Sequence, residues 1–96
     1  MTLLDSIKIR RGEITQIAAR HGACCIRVVG SVARGEERPD SDVDLLVSME
    51  HGRDLLDLVA LEQDLGAALH REVDVLTDEG LSPYLKDQIQ AEAVTV

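Results

Sequence analysis

The sequence predicts an α/β (α+β) domain, a small β-sheet packed by helices, and three observations carry that reading. Short runs rich in Val, Ile and Leu are bounded by Gly, Pro and Asp, the pattern of strands. Longer segments between them repeat apolar residues three and four apart, the pattern of amphipathic helices. The chain has 96 residues with no Pro/Gly/Ser-rich linker, internal repeat or low-complexity segment, so one domain over 1–96 is expected.

In chain order, Leu3, Ile7, Ile14, Ile17 and Ala18 predict one amphipathic helix from about Leu4 to His21, with Gly22 as its C′ residue. Cys24 to Val29 reads as a short strand stopped by Gly30. Ser31 to Asp40 carries Gly35, Pro39 and mixed charges, so it reads as a loop with room for one helical turn. Val43 to Val47 is a second strand, ended by His51-Gly52. Asp54 is placed to N-cap a helix from about Asp54 to His70, with Leu58, Leu61, Leu65 and Leu69 in one stripe. Leu55, Leu56 and Val59 widen its apolar surface beyond one stripe, and an exposed remainder would be a partner surface. Glu72 to Thr77 is a third strand, and Asp78-Glu79-Gly80 a turn. Ser82-Pro83 starts a last helix bearing Leu85, Ile89 and Ala93. His21 and His70 fall at helix C-termini, where a cation is favoured, and Tyr84 is expected to pack.

Composition narrows the function. Eighteen Asp plus Glu against ten Lys plus Arg leave a formal charge of −8. An acidic chain lacks the basic face that phosphate-backbone binding needs, so no direct nucleic-acid partner is expected. Tyr84 is the sole aromatic residue, so the platforms used for single-stranded nucleic acid are missing as well. No apolar run approaches the ~18 residues of a membrane span. The first residues lack a charged segment followed by an apolar one, so a cytoplasmic protein is expected. Cys24 and Cys25 are neighbours, which rarely reach disulfide geometry, and are read as reduced strand residues.

The chemistry concentrates around two carboxylates. Alternation in a strand puts Asp42 and Asp44 on one face, about 6.5–7 Å apart along the backbone. Two short carboxylates on one pleat repel unless a cation or donor compensates them. Mg²⁺ is the natural compensator, because it takes carboxylate oxygens and keeps substrate phosphate oxygens as further ligands. Asp74 interrupts the apolar strand Val73–Val75 and points opposite to those valines. If the third strand pairs beside the second, Asp74 reaches the same face, and three carboxylates would hold two cations ~3.5–4 Å apart. Gly30 lets the backbone approach a ligand closely. The Ser31 hydroxyl and nearby N–H groups suit an oxyanion. Arg34 is the one cation placed in this loop, where it either grips a phosphate or pairs with Glu36, Glu37 or Asp40.

Gly30-Ser31, ten residues, then Asp42-x-Asp44 resembles the signature of the polymerase-β-like nucleotidyltransferase superfamily. Within it, Gly-Ser-Val-Ala-Arg-Gly-Glu followed by Ser-Asp-Val-Asp-Leu-Leu-Val resembles the minimal nucleotidyltransferase family. The resemblance implies a palm-like mixed sheet packed by helices and a metal-dependent transfer of a nucleoside monophosphate from a nucleoside triphosphate. It matches Gly30 and Ser31 to the triphosphate-gripping pair, and Asp42 and Asp44 to metal ligands. Asp74 matches the third carboxylate, a metal ligand and candidate base. Members are commonly antitoxins paired with a HEPN-domain ribonuclease toxin, and some resemble enzymes that add AMP to a toxin tyrosine. The expectation is therefore an Mg²⁺-dependent transfer of AMP from ATP to such a partner. The rival expectations are neutralisation by binding alone, and transfer to a small molecule such as an aminoglycoside.

Overall fold

The computed structural model describes residues 2–96. Helix α1 (Leu3–Ile9) starts at Thr2, whose hydroxyl accepts the Asp5 N–H while Asp5 accepts the Thr2 N–H, a reciprocal cap. Helix α2 (Arg11–Arg20) follows after a break at Arg10 (φ −91°, ψ 12°), where one continuous helix was expected. Gly12 weakens the helix just past the break, and the Arg10 guanidinium donates to the Ala68 carbonyl across the fold. Gly22 takes the left-handed C′ conformation (φ 75°), as expected. The His21 ring does not serve α2's carbonyls; its Nε2 lies 2.6 Å from Asp64 Oδ2.

Strand β1 (Ala23–Val29) leads directly into a single-turn helix, α3 (Gly30–Arg34), and strand β2 (Val43–Met49) follows the loop. Helix α4 (Leu55–Leu69) is capped by Asp54, reciprocally with Asp57. Strand β3 (Val73–Thr77) and helix α5 (Pro83–Glu92) come next, and the chain closes with β4 (Val94–Thr95). That last strand corrects the three-strand expectation. Ala93 is extended (φ −66°, ψ 135°) rather than helical, and β4 pairs with Arg27 and Val28 of β1. Two residues carry no readable period, so only the free edge of β1 decides their conformation.

The sheet order is β3-β2-β1-β4, with β2 and β3 parallel and the other neighbours antiparallel. Alternation sorts its side chains by face. Val28, Val43, Leu45, Val47, Val73 and Val75 pack against Ile7, Ile14, Ile17, Leu61 and Leu65 of α1, α2 and α4. This core is wholly aliphatic, as the lone aromatic requires; Tyr84, expected to pack, is 95% exposed. The opposite face presents Asp44, Leu46 and Ser48 of β2 beside Asp74 of β3. Asp78 sits at the far end of that face, where it takes two hydrogen bonds from Arg27 and one each from Ser48 and Gln90 of α5.

Candidate active site

Gly30 is the pivot of the site. It turns the chain out of β1 with φ 74°, a conformation side chains resist. A Cβ there would come within 2.6 Å of Asp44 Oδ2. The backbone thus passes against the Asp44 carboxylate, and only glycine allows it. Ser31 follows in the first turn of α3, which a left-handed Gly35 (φ 73°) closes.

Asp44 is paired in register with Val29 on one side and with Asp74 on the other. The expected pairing of the second and third strands therefore exists, and it sets two aspartates directly opposite on neighbouring parallel strands. Asp42 stands one residue before β2 and is exposed. The Arg38–Ser41 turn fixes it, with the Arg38 N–H donating to Ser41 Oγ at 2.6 Å. Arg71, just before β3, donates from Nη1 to the Ser41 carbonyl at 3.0 Å. Sequence reasoning missed Arg71 and Ser41 as positioning residues, because nothing in their local pattern links them.

The charges reinforce each other. Burial pushes the Asp44 carboxyl above the usual carboxylate range, and the charges of Asp74 and Asp42 and a hydrogen bond with Asp74 push it further. The Arg34 charge pulls the other way. Arg34 itself takes the ion-pair alternative: Nε donates to Glu36 Oε2 and Nη1 to Glu92 Oε2, each at 3.0 Å, fastening α3 to α5. Nη2 is in neither pair, so the guanidinium keeps donors that could meet a phosphate.

Among the described residues, no three His, Cys, Asp or Glu side chains converge to enclose a metal ion by themselves. That is compatible with Mg²⁺ chemistry, since Mg²⁺ is usually held by one or two carboxylates and completed by substrate phosphates and water. The donor set fits: hard carboxylate oxygens, mutually repelling, around a half-buried Asp44. Beside them a groove of about 590 Å³ runs between α4 and the edge strand β3, lined by Val59, Glu62, Gln63, Arg71, Glu72 and Asp74 among others.

Comparison with known proteins decides the family. The sequence profile of the nucleotidyltransferase domain matches residues 19–96, most of the chain and all of the site. The chain belongs to the nucleotidyltransferase family. The nucleotidyltransferase is 45% identical over 84 residues to a Methanocaldococcus jannaschii protein provisionally named a protein adenylyltransferase, covering 88% of this chain and 90% of that one. It is 34% identical over 96 residues to the protein adenylyltransferase MntA of Thermococcus cleftensis, covering 100% and 97%. Among solved structures, one provisionally described as a minimal nucleotidyltransferase superposes with a TM-score of 0.87 at 46% identity, covering 100% and 97%. An MNT antitoxin solved with the tri-AMPylated HEPN toxin of Shewanella oneidensis superposes at 0.69 with 20% identity, covering 92% and 69%. At that identity the likeness establishes the fold alone.

Proposed function

We propose that this nucleotidyltransferase moves AMP from ATP to a hydroxyl of a partner protein, a tyrosine of a HEPN-type ribonuclease toxin, and thereby acts as its antitoxin. The observation that carries the reading is the in-register Asp44–Asp74 pair beside Gly30. The protein adenylyltransferase names of its relatives support AMP as the transferred group. The AMPylated toxin bound to a protein of the same fold supports the acceptor. The exposed ridge Leu55 (70%), Leu56 (76%) and Val59 (39%) on α4 supports a protein partner, and it is the surface the apolar excess of that helix predicted.

In this reading Gly30 and Ser31 cradle the triphosphate with close-approaching backbone and hydroxyl. Asp42, Asp44 and Asp74 would hold Mg²⁺ together with the substrate phosphates and water. The metal supplies charge neutralisation for the triphosphate and for the leaving pyrophosphate. Asp74, opposite Asp44 on the sheet face away from α4, takes the proton of the acceptor hydroxyl. The acceptor oxygen forms a bond to the α-phosphorus as the bond from that phosphorus to the pyrophosphate oxygen breaks. Arg34 contributes positive charge to the same end, with Nη2 outside both of its ion pairs.

Incubation with α-labelled triphosphate, Mg²⁺ and the product of the neighbouring gene tests this. Label should pass from ATP to a tyrosine of the partner, and Asp44→Asn should lower it on the order of 10³-fold. No transfer from any of the four nucleoside triphosphates would overturn the proposal. The α4 ridge favours a second reading, neutralisation by binding alone. In that case Asp42→Ala with Asp44→Ala would still protect cells from the toxin.

A further inference from the structure

Cys24 and Cys25 take no part in the nucleotide site; they are free cysteines within β1, as expected, at a point where the strand is irregular. Successive strand side chains point to opposite faces. Here the register of β1 on β2 slips between Cys24 and Arg27, a β-bulge, and Cys25 has φ 56°. The left-handed conformation costs an L-residue roughly 1–2 kcal/mol, and Cys is not among the types enriched in it. Arg27 holds the bend, donating from Nε to the Cys25 carbonyl at 3.0 Å while two further nitrogens grip Asp78. As a result both thiols come together: the Cys25 thiol donates to Cys24 Sγ at 3.5 Å, and both residues are exposed. That bond also raises the Cys24 thiol pKa.

The spacing selects what the pair can bind. A disulfide needs sulfurs ~2.05 Å apart and Cα atoms usually 4.4–6.8 Å apart, whereas adjacent Cα atoms are ~3.8 Å apart. A linear two-coordinate ion with bonds of ~2.3 Å needs sulfurs about 4.6 Å apart. Sulfurs 3.5 Å apart, each ~2.3 Å from one centre, subtend about 100°, the angle of a pyramidal centre. Among the described residues no third His, Cys, Asp or Glu closes the site, which suits a centre that brings its own third substituent.

We propose that Cys24 and Cys25 form a strained, preorganised dithiol site for a soft trivalent arsenic centre carrying one organic group. Soft thiolates favour such a centre over the hard cation of the nucleotide site. In the reaction R–As=O plus two thiols gives R–As(S)₂ and one water. Two As–S bonds form, the As=O bond breaks, both thiol protons leave on that oxygen, and arsenic stays trivalent. The bulge pre-sets the bite, so the folded chain does not lose the entropy of bringing the sulfurs together.

The test uses the whole chain, phenylarsine oxide as probe, and intact-mass spectrometry with excess glutathione. One arsenical per chain should survive the monothiol and be removed by 2,3-dimercaptopropanol. Cys24→Ser and Cys25→Ser should each lose the monothiol-resistant adduct. The wild-type chain should hold it about tenfold more tightly folded than in guanidinium, a comparison that needs no variant to fold. A single-Ser variant that keeps the resistant adduct, no resistant adduct on the wild-type chain, or equal retention by the unfolded chain would each overturn the proposal.

Discussion

Two aspartates on the same side of the sheet, Asp44 and Asp78, have opposite electrostatics. Asp78 takes hydrogen bonds from Arg27, Ser48 and Gln90, and the Arg27 guanidinium foremost holds its carboxyl down at about 2. Asp44 meets burial and two further carboxylates, and its carboxyl is pushed up. A charge satisfied by the fold fastens structure: here it ties β1, β2 and α5 to the end of β3. A charge the fold leaves uncompensated has use only for a ligand that compensates it. The difference separates architecture from chemistry on one surface some residues apart.

The largest effect that would break this comparison is catalytic. Asp44→Asn should lower AMP transfer on the order of 10³-fold, the scale of losing a group that stabilises developing charge, measured by label incorporation. Asp78→Ala should do the reverse: transfer per folded molecule stays, while stability falls by about 2 kcal/mol, the worth of a carboxyl held at about 2 rather than 3.8. Denaturant melts check this, and their pH dependence checks the sign. The Asp78 contribution is present above its ordinary pKa and is lost as pH falls from about 3.8 towards 2.

Gly30→Ala comes next, at roughly 1–2 kcal/mol for a side chain at φ 74°, with transfer impaired because the new Cβ displaces Asp44 Oδ2. Smaller still is the thermal shift of Asp44→Asn. A carboxyl raised by folding is stabilising only while protonated, and that contribution disappears as pH rises through its folded pKa. At neutral pH the asparagine chain should therefore melt higher. Mg²⁺ should raise the melting temperature of the wild-type chain more than that of the variant. A destabilised Asp44→Asn would mean that the cluster is structural after all. Arg34→Ala should barely move the melting temperature, since its ion pairs are exposed; a raised KM for ATP on top would mark it as a phosphate ligand.

Much of the site was readable because its residues break local rules. Asp74 between Val73 and Val75, and a glycine at the end of a strand, are conspicuous where propensity would place neither. The α4 cap at Asp54 and the apolar surplus of Leu55, Leu56 and Val59 were equally visible, since caps and periodicity are short-range signals. The Arg10 break, the β4 strand, the Arg71–Ser41 tie and the Cys25 bulge were not. Each depends on a partner far along the chain, and Tyr84 remains exposed because no neighbouring element covers it.

Hydrophobic period and residue chemistry act over a few positions, so most of the element types, the aliphatic core and the acidic motif were legible along the chain. Tertiary structure alone decided which carboxylates meet. Parallel pairing of β2 with β3 set Asp74 opposite Asp44, and the antiparallel turn from β1 pressed Gly30 against the same carboxylate. Strand pairing is a long-range choice, and so is the division of eighteen acidic residues into those the fold compensates and those it leaves for a ligand.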